Sequence, residues 1–162
     1  VLGRDVAFRD NVLEGNYQGA DLGGMELSIE RNVFSGSANV GVQLRLIAPS
    51  SGPPAVRAFV ANSVIGNGGP GVLIEDVGRI AVFERNNLYG NGANATYGAT
   101  NCAIANGTGG RIWAPRNYWG APSGPGADPA DDAAAPPCIV GSGGATIVAP
   151  VATQPYPIVP IS

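Results

Sequence analysis

Any acid–base chemistry in this chain would have to use carboxylates or arginines, because its 162 residues include no histidine and no lysine. Cleavage of a polysaccharide would need clustered carboxylates to hold a calcium ion, with an arginine beside them. The carboxylates best suited to such a cluster are Asp21, Glu26, Glu75 and Asp76. We assign none of them a catalytic role and expect no cofactor.

A second acidic group, Asp128, Asp131 and Asp132, lies in a Pro- and Gly-rich part of the chain. Three carboxylates this close in sequence could hold a calcium ion. A solvated acidic loop has the same composition. We favour the loop and predict no metal site.

These residues must be positioned by a unit of eight residues that occurs five times in the chain. Its clearest copy is 83–90, in which an apolar residue stands three positions before the anchor Asn86, another two after it, and a glycine four after it. The aligned anchors are Asn11, Asn32, Asn62, Asn86 and Arg116, separated by 21, 30, 24 and 30 residues. Self-similarity at this period predicts a solenoid. The alternative is a meander of antiparallel hairpins, which would also place Asn and Gly between short apolar runs.

The residue types in the unit suit one layer of a solenoid. Asn is the non-glycine residue that most readily takes a left-handed backbone conformation, which a bend between the two apolar positions requires. Stacked Asn11, Asn32, Asn62 and Asn86 would also pass amide hydrogen bonds between layers as a structural ladder. The glycine would close the unit with a second turn. The predicted inward residues are Phe8, Ile29, Phe59, Phe83 and Trp113 before the anchor, and Leu13, Phe34, Val64, Leu88 and Tyr118 after it.

Outward positions carry charges and aromatic rings. Charges of opposite sign occur on neighbouring copies just before the anchor, which favours ion pairs between layers over a catalytic cluster. The position three after the anchor ends in Tyr89 and Trp119. Two rings on adjacent layers would form a platform on which sugar rings stack. Alternatively, the C-terminal segment packs over both rings.

The two cysteines support the same register. Cys102 opens a short strand that aligns with Val42 and Val72, and Cys138 opens a similar strand one layer later. Inward positions on adjacent layers would lie about 5 Å apart at Cα, which a disulfide tolerates. We predict a disulfide and hence an oxidising compartment. Two buried thiols stacked in a core are the alternative.

Composition indicates a single turn-rich all-β domain. Gly (25 residues) and Pro (14 residues) are abundant, but 44% of the chain is hydrophobic, which disordered chains are not. Charged residues make up 13% and the net charge is −3, so we expect no nucleic-acid partner. No apolar run approaches the roughly 18 residues of a membrane-spanning segment. The chain opens without an export signal, so we expect that one was removed or that this is a piece of a longer protein.

The segment 121–162 differs from the repeats in its Pro, Gly and Ala content. An open solenoid end exposes apolar core and strand edges. We therefore predict that 121–162 is a C-terminal cap with an extended tail. The first coil has no matching cover in the sequence, and another coil or another chain is expected to stack on it.

The run Asn-Tyr-Trp-Gly-Ala-Pro-Ser-Gly-Pro-Gly-Ala-Asp-Pro at 117–129 resembles the final coil of many bacterial extracellular β-helix proteins. The Phe-x-x-Asn spelling at Phe8, Phe59 and Phe83 is similar to the repeat of polymorphic outer-membrane and autotransporter passenger proteins, although their Gly-Gly-Ala-Ile companion is missing. The resemblance is to right-handed parallel β-helix proteins of bacterial or archaeal surface type. It implies an all-β solenoid of about five coils over 1–120 with the cap at 121–162.

Three functions are consistent with these observations. The first is a non-catalytic structural or adhesive segment of a secreted or cell-surface protein, whose partners are a surface protein, a carbohydrate or its own copies stacked end to end as fibres. The second is a carbohydrate-binding β-helix that uses Tyr89 and Trp119. The third is a fragment of a polysaccharide lyase or hydrolase that depends on Asp21, Glu75 or Asp76. Asn94 and Asn106 begin glycosylation acceptor patterns.

Overall fold

The computed structural model describes residues 2–47, 51–76, 78–94, 98–141 and 144–158, and the regular secondary structure in these residues consists almost entirely of short strands. The strands are β1 (Leu2–Arg4), β2 (Ala7–Arg9), β3 (Val12–Glu14), β4 (Ala20–Met25), β5 (Leu27–Glu30), β6 (Val33–Ser35), β7 (Val42–Leu46), β8 (Val56–Val60), β9 (Ser63–Ile65), β10 (Val72–Glu75), β11 (Phe83–Glu84), β12 (Asn87–Tyr89), β13 (Ile104–Asn106), β14 (Arg111–Trp113) and β15 (Ala145–Ile147). A single 3₁₀ turn, Pro136–Cys138, is the helical part of the described residues.

Three parallel sheets are visited by the chain in turn. Sheet A has the order β1-β4-β7-β10-β13, sheet B β2-β5-β8-β11 and sheet C β3-β6-β9-β12. From β1 to β10, each strand therefore pairs with the strand three places later, and one strand from each sheet makes up a layer. All strand pairs in the described residues are parallel, so the hairpin alternative is wrong. The arrangement is consistent with a parallel β-helix.

A single left-handed residue turns the chain from sheet B to sheet C. These residues are Asp10, Arg31, Ala61, Arg85 and Arg116, with φ between 54° and 58°. Each directly precedes an asparagine, so the prediction that the asparagine itself takes the left-handed conformation is wrong. None of the five is β-branched, which fits the steric limits on this region. The turn from sheet C to sheet A uses Gly15, Gly36, Gly66 and Gly90, with φ between 61° and 72°.

Columns of apolar side chains fill the space between the sheets. In sheet B, Phe8 pairs in register with Ile29, then Phe59, then Phe83. The Phe59 and Phe83 rings stack with centroids 4.5 Å apart. In sheet C the column is Leu13, Phe34, Val64 and Leu88. Burying each such side chain contributes about 1.5–3 kcal/mol, and only stacked layers can bury them.

A ladder of asparagine side chains runs through the corner between sheets B and C. The Oδ1 atom of each member accepts both the main-chain N–H and the Nδ2–H of the asparagine one layer earlier, at 2.8–3.2 Å. The members are Asn11, Asn32, Asn62, Asn86 and Asn117. From Asn32 onward each Nδ2 also donates to the carbonyl of an inward residue of the preceding layer (Phe8, Ile29, Phe59 and Phe83) at 2.8–3.1 Å. The ladder thus satisfies buried donors and acceptors that have no access to water.

The last repeat is displaced by one residue from the sequence alignment. Asn117, and not Arg116, continues the ladder, 31 residues after Asn86. A shift of one residue exchanges the two faces of a strand. Trp113 is therefore 59% exposed and Ala114 takes its place in the core, while Trp119 rather than Tyr118 points inward. The predictions that Trp113 and Tyr118 face the core are wrong for this reason.

Residues after 120 add further parallel pairing on the last layer. Asp132 bridges to Cys102, Ile139 bridges to Asn106, and β15 pairs with β14. The main-chain N–H of Ala152 then donates to the carbonyl of Asn117 at 3.0 Å. The described residues of 132–141 and 144–152 thus follow the strand edges that the preceding layer presents.

We expect Asn62→Ala to lower the free energy of unfolding by about 3 kcal/mol, because it removes the buried acceptor of two N–H groups of Asn32 and the Nδ2–H donor to the carbonyl of Ile29. The matched control is Asn11→Ala at the partly exposed end of the ladder. It removes two donated bonds, one of them to an exposed acceptor, and should cost about 1 kcal/mol or less. Urea unfolding measures both. Equal losses would show that the buried ladder is not a main source of stability.

Candidate functional site

Tyr89 and Trp119 do not form a platform for sugar rings. Trp119 is fully buried in the core. Tyr89 is partly exposed and meets the ring of Tyr118 edge-on, with centroids 5.8 Å apart. A ring without exposed surface offers no face to a ligand, so the predicted pair is wrong. The one-residue displacement of the last repeat is the reason.

Three of the four candidate catalytic carboxylates are engaged with partners in the chain. Asp21 pairs with Arg45 at 3.0 Å, and Glu75 accepts a hydrogen bond from the Gln43 side chain. Glu26 accepts hydrogen bonds from Arg4 at 3.2 Å and Arg57 at 2.5 Å, and these bonds hold its pKa below the usual value. Asp76 directly follows β10, and its backbone adopts a left-handed conformation. In the described part of the chain, no three His, Cys, Asp or Glu residues lie together in a way that could hold a metal ion.

Ion pairs between layers cover the outside of the B–C corner. Arg9 pairs with Glu30 at 3.0 Å, Asp10 with Arg31 at 2.7 Å, and Glu84 with Arg116 at 2.8 Å. The hydrogen bond from Arg31 lowers the pKa of Asp10. These exposed pairs contribute little stability, but they favour the register in which opposite charges on adjacent layers lie side by side.

A second polar ladder, which the sequence analysis missed, runs through the corner between sheets C and A. The main-chain N–H of Ser37 donates to Asn67 Oδ1, and both the main-chain N–H and Nδ2 of Asn67 donate to Asn91 Oδ1, at 2.8–3.2 Å. Asn91 makes the same two bonds to Asp131 Oδ2, at 2.9 and 2.8 Å. Each of the first three members follows the closing glycine of a repeat. The residue after the closing glycine, compared across the repeats, was the sequence signal that could have revealed this ladder.

Asp131 ends the second ladder with a buried carboxylate. Besides the bonds to Asn91, its Oδ1 accepts the main-chain N–H of Gly90 at 2.7 Å. Burial raises the pKa of Asp131 to about 6, against the opposing effect of the bonds from Asn91 and Gly90, and the charge of Asp128 adds to the rise. Both oxygens of Asp131 thus face donors of the chain. The interpretation of Asp128, Asp131 and Asp132 as one solvated loop is wrong for Asp131, which is 1% exposed.

The remaining two aspartates differ from Asp131. Asp128 is exposed and precedes the cis peptide bond to Pro129. Asp132 Oδ1 accepts main-chain N–H groups of Ala133, Ala134 and Ala135 at 2.6–3.2 Å, and so stabilises the bend that these residues form. The three side chains therefore lie in different surroundings.

Cys102 and Cys138 form a disulfide with Cα atoms 5.5 Å apart. The bond does not lie in the main core column. Ile104, not Cys102, aligns with Val42 and Val72, and both sulfurs belong to a smaller apolar cluster with Val40, Leu73, Ala99 and Ala105. The disulfide thus ties the start of the last sheet A strand to the segment that covers it.

The two acceptor patterns for glycosylation stand differently. Asn106 is fully buried, and its Nδ2 donates to the carbonyls of Gly110 and Ala145 at 3.0 and 3.2 Å. A buried amide is not accessible to a modifying enzyme. In the pattern that begins at Asn94, Ala95 and Thr96 lie outside the described residues.

The N-terminal layer, residues 2–14, presents the edge strands β1, β2 and β3 of all three sheets. In sheet C the column Val12, Val33, Ser63, Asn87 shows how this edge is built. The N–H groups of Val33, Ser63 and Asn87 donate to the carbonyls of Asn11, Asn32 and Asn62 one layer earlier. By register, the N–H of Val12 points to where a carbonyl of another layer would lie. Leu2 and Val12 are 73% and 52% exposed, so this layer is the strongest candidate interaction surface.

Comparisons with protein-family models, with curated proteins and with solved structures yield no match to this chain. Among the described residues, no helix has the length and apolar character needed to cross a membrane.

Stability should depend on the titration of Asp131. Its pKa is raised from 3.8 to about 6 on folding, so its contribution to stability is full below pH 3.8 and is lost as the pH rises through 6. Relative to Asp131→Asn, the wild-type chain should lose about 3 kcal/mol of unfolding free energy between pH 3.5 and 7. Urea unfolding across this range measures the difference. Glu14→Gln, a change at an exposed carboxylate of β3, is the control, and parallel curves for Asp131→Asn and wild type would contradict the buried titration.

Removing the disulfide should lower the free energy of unfolding by about 3 to 4 kcal/mol, because the bond closes a loop across a separation of 36 residues. The variant Cys102→Ala with Cys138→Ala tests this without burying a new polar group. Urea unfolding with and without a phosphine reductant should show a loss for wild type and no change for the double variant. A wild-type midpoint insensitive to reductant would refute the estimate.

Proposed function

We propose that this chain is a non-catalytic structural segment of a right-handed parallel β-helix, of about five coils, in a secreted or cell-surface protein, and that it associates with further copies through its N-terminal layer. The observation that carries the proposal is the pair of polar ladders. They join successive layers along one direction through buried hydrogen bonds. Such continuous pairing suits a stiff rod. The disulfide is compatible with an extracellular location.

The two ends of this rod are proposed to differ. Residues 1–120 would form the coils and 121–162 the C-terminal cap. The parallel bridges of Asp132 and Ile139, together with β15, support a covering role for the second segment because they pair with the strand edges of the last layer. Edge strands that nothing covers are templates for strand addition.

Association through the N-terminal layer would extend existing contacts rather than create new ones. The strands of an incoming layer would pair with β1, β2 and β3. The apolar residues of that layer would cover the partly buried Val6, Phe8 and Leu13 of the core. The surface thus combines main-chain donors and acceptors with apolar area. Both favour a partner that is itself a β-layer, which a second copy of this chain supplies.

Light scattering of the purified chain over a concentration series should show a mass that grows with concentration. Val12→Pro should prevent this growth, because it removes the outward N–H of the edge while the paired N–H groups of neighbouring layers remain. Val12→Thr keeps that N–H and is the matched control. A wild-type chain that stays monomeric at every concentration would refute the proposed association, as would equal growth of Val12→Pro.

A further inference from the structure

The C-terminal tail, residues 153–158, lies against the outside of sheet C, where the Asn87 side chain makes two hydrogen bonds to it. Asn87 Oδ1 accepts the main-chain N–H of Tyr156 at 2.9 Å, and Asn87 Nδ2 donates to the carbonyl of the same residue at 2.9 Å. Nδ2 also donates to Ser63 Oγ at 3.1 Å, which fixes the orientation of the amide. The Asn87 side chain thus hydrogen-bonds both the N–H and the carbonyl of Tyr156, as the main chain of a neighbouring strand would.

A third contact adds side-chain specificity. The Tyr156 hydroxyl donates to the main-chain carbonyl of Arg116 at 2.7 Å. Ser63 is 3% exposed and Asn87 is 2% exposed beneath the tail. Leaving Asn87 uncovered would expose an amide that is already oriented for binding. We call Ser63, Asn87 and the Arg116 carbonyl the sheet C strip.

The tail is suited to be a ligand rather than a strand. Pro155 and Pro157 flank Tyr156, so neither neighbour can donate to a sheet, and both favour an extended conformation with little entropy left to lose on binding. Apart from the partly buried Tyr156, the tail residues are exposed. The tail therefore binds through a few directed hydrogen bonds and little buried area, and such contacts open readily.

We infer that the sheet C strip is a recognition site for an extended Pro-Tyr-Pro segment, which the chain's own tail occupies in isolation and the tail of a second copy occupies when two chains are close. The partner is a second copy because its tail carries the same residues and can make the same bonds. Within one chain the tether gives the tail a high effective concentration. Exchange therefore becomes measurable when the internal contact is weakened.

A peptide of residues 153–158, labelled with a fluorophore, tests recognition by the full-length chain. Tyr156→Pro removes the N–H and the hydroxyl from the internal tail, so this chain should bind the peptide at least tenfold more tightly than wild type, measured by fluorescence polarisation. Gln154→Ala, a change at an exposed tail residue, should behave as wild type. If Tyr156→Pro binds the peptide no better than wild type, the inference is overturned.

Changes on the strip give the reciprocal result. Adding Asn87→Ala to Tyr156→Pro should weaken peptide binding at least tenfold, and Asn87→Asp, which keeps the acceptor and loses the donor, should give an intermediate loss. Circular dichroism checks that each variant is folded. If Asn87→Ala does not fold, Asn87→Asp takes its place as the test variant. A peptide whose tyrosine is replaced by phenylalanine should bind several-fold more weakly. Unchanged affinity on removal of the Asn87 amide would refute the site.

Exchange between copies is tested by mixing two defective chains, both with Val12→Pro so that the N-terminal layer takes no part. One carries Tyr156→Pro and offers an open strip, and the other carries Asn87→Ala and offers a free tail. Light scattering should show a one-to-one complex in the mixture and monomers in each chain alone. Monomers in the mixture would refute the second copy as partner, even if the peptide binds.

Discussion

The structure depends on the need to satisfy polar groups at corners that water cannot reach. Each turn from sheet B to sheet C buries an asparagine whose main-chain and side-chain N–H groups both require an acceptor. The next layer supplies one acceptor for both, the Oδ1 of its own asparagine. A layer is therefore incomplete without its neighbour, for polar reasons as well as for the burial of its apolar residues. This constraint explains why the same residue type recurs at this corner.

The same constraint explains what happens where a ladder stops. The second ladder passes through Asn67 and Asn91 and ends on the carboxylate of Asp131. A carboxylate accepts hydrogen bonds from both donors of Asn91 and from Gly90, but its burial raises the pKa to about 6. At neutral pH the Asp131 carboxylate at the end of this ladder is therefore mostly ionised, although burial disfavours its charged form. The first ladder stops at the N-terminal layer, where Asn11 is only partly buried and β1, β2 and β3 are edge strands.

Two different surfaces follow from this construction, and they use the backbone in different ways. The N-terminal layer offers whole strand edges, so it favours a partner that is itself layered. The sheet C strip offers a single oriented amide, so it favours one residue of an extended chain. Charges outside the B–C corner are paired between layers, so the proposed recognition at both surfaces would rest mainly on main-chain hydrogen bonds and apolar contact.

The sequence by itself determined the parallel stacked strands, because the spacing of apolar residues, asparagines and glycines is a local property that each layer must repeat. It also indicated which asparagines share a corner and that the two cysteines lie near each other. It did not reveal that Asn117 replaces Arg116 in the last layer, since Trp119-Gly120 matched the earlier repeats one residue out of register. Only the tertiary structure decided that Trp119 is buried, that Asp131 receives Asn91, and that Tyr156 returns to Asn87 across 69 residues. Such contacts join segments with no shared period, and whether they form depends on which surfaces the stacked layers bring together.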